Sequence, residues 1–122
     1  MMNNLVLGQS TFVGSAALAR TLQVSKIIAS NGVANSRFGW SLSLSLDGNT
    51  LAVGADLQTI TFPTTMGSVY VYVRSGSTWS EQTIFSPSTG ITSFGRAVAI
   101  SGSGDSLVIG AITNTTADGK VY

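Results

Sequence analysis

The sequence contains no cysteine and no histidine, and only 9% of its residues are charged. Without cysteine there is no disulfide and no thiol nucleophile, and without either residue the usual zinc ligands are missing. The absence of histidine also removes the side chain that most often serves as a general base near neutral pH. We therefore expect neither an enzyme nor a bound metal or cofactor.

Positive charge is scarce as well. The net charge is +1, and the six basic residues are scattered along the chain. A nucleic-acid-binding surface requires clustered Lys and Arg, so the composition argues against a nucleic-acid partner. Ser, Thr and Gly are abundant whereas only two residues are proline. This usage is typical of a β-rich protein whose surface is solvated by hydroxyl groups.

The chain also lacks a long apolar run. A transmembrane helix needs about 20 consecutive apolar residues, and no such stretch occurs, so we expect no membrane insertion. Near the N-terminus the apolar residues are interrupted at 8–11 and no Lys or Arg precedes them, which argues against a cleaved signal peptide. Two interpretations of residues 1–22 stay open. They form a degenerate partial repeat, since 5–8 echoes later segments, or a short helix at 15–22.

From residue 38 onwards, apolar and small side chains alternate. A period of two predicts a strand with one apolar face, and a face of glycine and serine allows another sheet to approach closely. Asp47-Gly48 follows and predicts a tight turn into a second strand, because glycine readily adopts positive φ. The apolar face comprises Phe38, Trp40, Leu42, Leu44 and Leu46, and the small face comprises Gly39, Ser41, Ser43 and Ser45.

The same pattern returns after 56 residues without a gap. Phe38-Gly39 corresponds to Phe94-Gly95, and Arg96 takes the position of Trp40. A period of about 50 residues indicates a repeat architecture such as a propeller. We predict an N-terminal segment at 1–30, a complete repeat at 31–86 and a second repeat at 87–122.

Each repeat is predicted to be a meander of antiparallel strands joined by short turns, the arrangement of a propeller blade. A further strand is predicted at 22–30, where it corresponds to the fourth strand of the complete repeat. The predicted strands of the first repeat are 38–46, 50–55, 67–74 and 78–85, and those of the second are 94–101, 106–111 and a third that begins at Gly119.

These residues resemble the FG-GAP repeat family, the blades of integrin-α-like β-propellers. The Phe-Gly and Gly-Ala pairs of the family motif each occur twice, although its proline is absent, and the Gly-Ser-Val-Tyr-Val-Tyr-Val run at 67–73 is also similar. The resemblance implies an all-β fold of four-stranded antiparallel blades, here an incomplete propeller of about two repeats. The repeat signature is Phe38, Gly39, Gly54, Ala55, Phe94, Gly95, Gly110 and Ala111.

Some members of that family hold calcium in a loop rich in Asp. Calcium takes six to eight oxygen ligands, several of them carboxylates, whereas the candidate loops at 56–66 and 112–119 contain one Asp each. Asp47 and Asp118 are therefore interpreted as turn residues rather than ligands. A hydrolase would need two carboxylates about 5–10 Å apart, and nothing in the spacing of the five acidic residues suggests such a pair.

The second repeat stops within its third strand, while a spare fourth strand lies near the N-terminus. Because an open sheet edge recruits another strand, we expect the spare strand of one copy to complete the last sheet of another. The result would be a homo-oligomer or polymer, a ring or a fibre, at an extracellular or virion surface. The alternative is a fragment of a longer propeller. The expected strand-exchange interface is Leu22, Val24, Ile27, Ile28, Val121 and Tyr122.

A second functional class also stays open. A ligand-binding or adhesion module would hold a protein or glycan ligand through the loops at 56–66 and 112–118. Aromatic residues can form a carbohydrate platform, but core packing and cross-strand pairing are the favoured interpretation here. The aromatic residues concerned are Trp40, Tyr70, Tyr72 and Trp79.

Overall fold

The computed structural model describes residues 25–61, 64–88, 91–113 and 119–122. Within these ranges every regular element is a strand, which confirms the predicted all-β class. The strands are β1 (Ser41–Leu44), β2 (Thr50–Ala55), β3 (Thr59–Thr61), β4 (Thr64–Thr65), β5 (Ser68–Ser75), β6 (Thr78–Phe85), β7 (Ile91–Ile100), β8 (Leu107–Thr113) and β9 (Gly119–Val121).

The first sheet has the order β1-β2-β5-β6, with each strand antiparallel to its neighbour. This is the meander predicted for the complete repeat, and β2 and β6 begin and end at the predicted residues. β1 is shorter than predicted, since only 41–44 pair with β2. The predicted loop at 56–66 contains the short β3–β4 hairpin.

The turn between β1 and β2 follows from Asp47-Gly48. Gly48 has a φ of 71°, a conformation that glycine adopts without steric cost. The Ser45 hydroxyl and the Asn49 backbone N–H both donate to the Asp47 carboxylate. These hydrogen bonds favour the charged form, and they hold the pKa of this exposed carboxyl below its ordinary value. Asp47 is thus a turn residue, as predicted.

The second sheet has the order β7-β8-β9 and is also antiparallel. β7 starts three residues before the predicted strand and contains an irregularity between Thr92 and Ala97. Ser93 and Gly95 have positive φ within this irregularity. The extra residues bend β7 and bring its Phe94-Gly95 pair against the first sheet.

The two sheets stack face to face because β7 packs across β1, β2 and β5. Ser41 and Ser43 of β1 point towards the second sheet, which confirms the close approach that the small-residue face predicts. Apolar residues of both sheets fill the space between them. This core comprises Ala52, Val69, Ile91, Phe94, Ile109 and Ala111, with Val98 and Leu107 packed against it.

The opposite face of the first sheet carries a second apolar cluster, which comprises Val53, Ala55, Tyr70 and Tyr72 with Phe38 packed against it. The contacts of its aromatic residues are repeated in the second sheet. The Phe38 ring meets the Tyr70 ring edge-on, with centroids 5.2 Å apart. In the second sheet Phe94 contacts Tyr122 at 5.6 Å. Each Phe-Gly pair therefore packs its phenylalanine on the tyrosine of the third strand of its own repeat.

The prediction of a strand at 22–30 is wrong for its described part. Residues 25–29 have no regular secondary structure and residue 30 lies in a turn. A strand requires a neighbour for its backbone hydrogen bonds, and within the described ranges this segment pairs with no sheet edge. It packs instead through the side chains of Ile27 and Ala29 on the outer cluster of the first sheet. Leu22 and Val24 lie outside the described residues.

Candidate interaction surface

The contact between the two sheets, which we call the joint, is formed by the signature glycines. A Cβ atom added at Gly54 would overlap the carbonyl oxygen of Gly95 and the hydroxyl of Ser41. The Ser41 hydroxyl donates to the same Gly95 carbonyl at 2.6 Å. Only glycine at 54 therefore leaves room for the backbone of the second repeat to come this close.

A second glycine serves the same purpose one strand further along. Gly67 forms a parallel bridge with Phe94, and the Phe94 N–H donates to the Met66 carbonyl at 2.9 Å. A Cβ atom at Gly67 would lie 2.7 Å from the Phe94 nitrogen and would overlap its carbonyl oxygen. The Phe-Gly turn of the second repeat thus sits in a groove between two glycines of the first.

A buried carboxylate lies at one end of the joint. The Asp56 side chain has no exposed surface, and its Oδ2 atom lies 3.6 Å from Arg37 Nη1 and 3.4 Å from Arg96 Nη1. Among the described residues Oδ1 has no hydrogen-bond partner. Because Arg96 belongs to β7, its ion pair ties the second repeat to the first. The centroid of the Trp40 ring lies 4.7 Å from the Arg37 guanidinium carbon and 5.8 Å from that of Arg96.

The side of β1 that points away from the joint is apolar and open. Leu42 and Leu44 are 62% and 54% exposed, although Val98 and Ile100, the corresponding residues of β7, are partly buried. Trp40 is half exposed beside them. We call Trp40, Leu42 and Leu44 the apolar outer face.

The side of the second sheet that points away from the joint is lined by small residues. Ala97 and Ala99 of β7 are exposed, and Gly110 of β8 is half buried beside them. A shallow depression of about 530 Å³ runs over this side as far as Ile112 and Lys120. We call Ala97, Ala99, Gly110 and Ile112 the small-residue outer face.

The segment at 25–31 is held on the first sheet by two buried tyrosines. The Tyr70 hydroxyl donates to Asn31 Oδ1 at 2.7 Å, and the Tyr72 hydroxyl lies 3.2 Å from the Ile28 carbonyl and 3.3 Å from Glu81 Oε2. Burial raises the pKa of both phenols, and the Glu81 carboxylate raises each further. Both tyrosines are therefore neutral donors at physiological pH.

These raised pKa values predict alkaline release of the segment. A phenol with a raised folded-state pKa contributes stability that is complete below its ordinary pKa of 10.0 and is lost as pH rises through the folded value. We expect the free energy of unfolding to fall as the pH rises above about 10, because the unfolded chain then releases phenol protons that Tyr70 and Tyr72 retain in the folded protein. Urea unfolding at a series of pH values measures this. The double variant Tyr70→Phe/Tyr72→Phe should be less stable at neutral pH and lose less at alkaline pH; an equal alkaline loss would contradict the assignment.

The structure brings the predicted signature residues together only in part. Gly54 and Gly95 meet across the joint, whereas Gly39 and Gly110 face open space or their own strand partners. Of the predicted strand-exchange residues, Val121 is 74% exposed on β9, Tyr122 packs on Phe94, Ile27 is half buried and Ile28 is exposed.

Sequence reasoning missed the role of Asp56 and of its two arginines. The sequence signal was available, because Asp56 follows the Gly-Ala pair and Arg96 follows the Phe-Gly pair. The favoured role of the aromatic residues holds for Tyr70 and Tyr72, which are core residues.

Within the described ranges, no three Asp or Glu side chains lie together as potential metal ligands. Asp118 and most of the loop at 112–118 lie outside those ranges. No helix in the described part of the chain is long and apolar enough to cross a membrane.

A four-stranded antiparallel blade stacked on a second, three-stranded sheet of the same design is an open part of a β-propeller. A comparison with protein families agrees with this assignment, since the FG-GAP repeat model matches residues 21–72. The chain thus carries an FG-GAP repeat, as the Phe-Gly and Gly-Ala pairs implied. Searches of curated proteins and of solved structures found no match.

Proposed function

We propose that this chain is a non-enzymatic structural subunit that assembles with further copies of itself by strand complementation. The segment near residues 22–30 of one copy adds to the free edge of β9 in another, and the product is a ring or fibre at an extracellular or virion surface. The placement of residues 25–30 on the first sheet supports the proposal most directly.

That segment lies where the fourth strand of a preceding blade would lie. Ala29 packs in the cluster that contains Phe38. Phe85, which follows 56 residues later at the end of β6, lines a cavity of about 380 Å³ beside Phe94. Since Phe38 and Phe94 are equivalent, the segment is already positioned as β6 is positioned in the next repeat.

The outer edge of β9 offers a complementary surface. Ile109 and Tyr122 exchange two backbone hydrogen bonds at 2.9 and 3.0 Å. In an antiparallel pair the backbone groups of the next residue point the other way, so the N–H and carbonyl of Val121 face away from β8. Within the described ranges β9 has no neighbour on that side.

Substitutions at Val121 test whether the free edge of β9 pairs with another copy while the chain itself stays folded. Proline at 121 removes the outward N–H but none of the hydrogen bonds between β8 and β9, and edge strands tolerate proline. Val121→Ala is the matched control because it keeps the N–H. We expect the natural chain and Val121→Ala to have a solution mass of at least two 12.6 kDa chains by analytical ultracentrifugation, and Val121→Pro to sediment as a monomer.

A monomeric natural chain at all accessible concentrations would overturn the proposal, as would a Val121→Pro variant that assembles as well as Val121→Ala. Circular dichroism of each variant verifies that the sheets remain folded. Monodisperse monomers would favour the ligand-binding or adhesion module instead.

A further inference from the structure

The close approach of the two sheets at the joint requires glycine at 54 and 67 of the first repeat. The second repeat also has glycine at the two corresponding positions, but within the described ranges no other sheet approaches them. Gly54 and Gly67 accommodate the backbone of Phe94-Gly95. At the corresponding Gly110 an added Cβ would lie 3.4 Å from its strand partner Ala97, and at Gly119 it would lie 3.7 Å from the Ala111 carbonyl oxygen. A groove like that of the joint is therefore present on the second sheet, and among the described residues no backbone of another sheet occupies it.

The element that fits such a groove is also present. Gly39 has a φ of 94° and Gly95 a φ of 88°, so the two Phe-Gly turns share one backbone conformation. Gly95 is closely surrounded, and a Cβ atom there would lie 2.8 Å from the Ser68 carbonyl oxygen; at Gly39 such an atom would have nothing within 4 Å. The first turn has the shape for docking but has no groove within the described part of its own chain.

We infer that the Phe38-Gly39 turn of a second copy docks into the Gly110–Gly119 groove, so that the apolar outer face of one copy covers the small-residue outer face of the next. This contact, which we call the seam, repeats the joint between molecules. The inference rests on the proposed assembly and adds a sheet-to-sheet surface to strand complementation.

The chemistry of the seam follows from the repeat. In the repeat, Trp40 occupies the position of Arg96, and Ile112 occupies the position of Asp56. The joint pairs Arg96 with Asp56, so the seam places Trp40 of the incoming copy opposite Ile112. Both are partly exposed in the single chain, at 51% and 37%, and the Trp40 ring also contacts Arg37 and Arg96. An ion pair within the chain is thus replaced by an apolar contact between copies, and burial of exposed apolar surface favours association.

The apolar residues needed at the seam are already in place. In the joint, Val98 and Leu107 pack against the core between the sheets. Their equivalents in the first repeat are Leu42 and Leu51, and Leu42 is largely exposed. The hydroxyls of Ser41 and Ser43, which bond across the joint, are replaced by Ala97 and Ala99, so the seam has fewer hydrogen bonds and is more apolar.

The segment at 25–30 leaves most of this surface accessible, although Ser25 and Leu44 line a common depression. It contacts Tyr72 and Trp79 on the β5–β6 side of the first sheet, whereas the seam uses β1. A single incoming copy can therefore supply its segment to the β9 edge and its β1 face to the groove at the same time. Two linked contacts raise the effective concentration of each.

Two variants test the seam from opposite sides. Gly110→Val fills the groove, and valine suits a strand position where the added Cβ meets only ordinary van der Waals contacts. Leu42→Asp places a carboxylate on the apolar outer face at an exposed position. Thr83→Val, on exposed β6 away from the seam, is the control. We expect each seam variant to need about tenfold or more higher concentration to associate, and Thr83→Val to behave as the natural chain.

Mixing the two seam variants provides the sharper measurement. Gly110→Val retains an intact apolar outer face, and Leu42→Asp retains an intact groove, so one good seam can form between them. Sedimentation of the equimolar mixture should show a heterodimer that neither variant forms alone at the same concentration.

The outcomes separate the two proposals. If Val121→Pro is monomeric while both seam variants assemble like the natural chain, strand complementation stands and the seam is overturned. A mixture that associates no better than its components also overturns the seam. If the natural chain itself is monomeric, the proposed assembly and the seam both fail.

Discussion

Replacing Gly54 with alanine should lower the free energy of unfolding by about 3 kcal/mol or more, the upper range for overpacking a well-packed interior. The added methyl group would overlap the Gly95 carbonyl oxygen and the Ser41 hydroxyl. Ser41 can change rotamer, but the Gly95 carbonyl is backbone held in β7, so the two sheets must separate. Urea denaturation followed by tryptophan fluorescence measures the change.

Gly110→Ala is the matched control, since Gly110 holds the same position in the second repeat. There the new methyl group makes ordinary contacts, and alanine restricts the unfolded chain more than glycine does. We expect its free energy of unfolding to stay within about 1 kcal/mol of the natural value. Both variants are best compared in the Val121→Pro background so that assembly does not contribute. Equal destabilisation by the two substitutions would show that contact across the joint is not the reason for Gly54.

The local features of the fold could be predicted because they depend on neighbouring residues. Turn residues on both sides fix the ends of β2 and β6. The positive φ of Gly48 and Gly104 follows from hairpin chemistry. The small-residue face of β1 also correctly indicated that another sheet would approach it.

Features that depend on a distant partner could not be predicted in the same way. Residues 25–30 have the composition of a strand, but strand formation depends on pairing with a neighbouring edge, and within the described ranges they pair with none. β1 is short because the regular ladder with β2 covers only 41–44, although Gly39 and Trp40 both donate to the Gly54 carbonyl. Local pattern therefore predicts which residues are suited to a strand and does not reveal whether a partner is present.

The candidate surface was predictable only as a set of repeated residues. The repeat indicated that Gly54 and Gly110 are equivalent, whereas their different surroundings required the structure. The same holds for Asp56, which looked like the start of a loop. Its partner Arg96 lies 40 residues further along the chain, so a comparison of the two repeat motifs could have paired them, whereas the residues around Asp56 alone could not.

Removing both cations from Asp56 should be the other strongly destabilising change. The double variant Arg37→Met/Arg96→Met keeps much of each apolar stem but leaves a fully buried carboxylate without either ion pair. Breaking a buried ion pair from one side costs about 3–5 kcal/mol, because the remaining charge is not compensated. We expect a loss of that order in the free energy of unfolding at neutral pH, and a smaller loss for either single variant.

Adding Asp56→Asn to the double variant distinguishes charge from packing. The amide is neutral and similar in size, so burying it without the arginines costs much less than burying a carboxylate. The triple variant should therefore recover most of the lost stability in urea denaturation, although the arginines remain absent. If it stays as unstable as the double variant, the arginines act through their contacts with Trp40 and the sheet surfaces. Recovery would instead show that the arginines are needed because the buried Asp56 carboxylate must be compensated by charge.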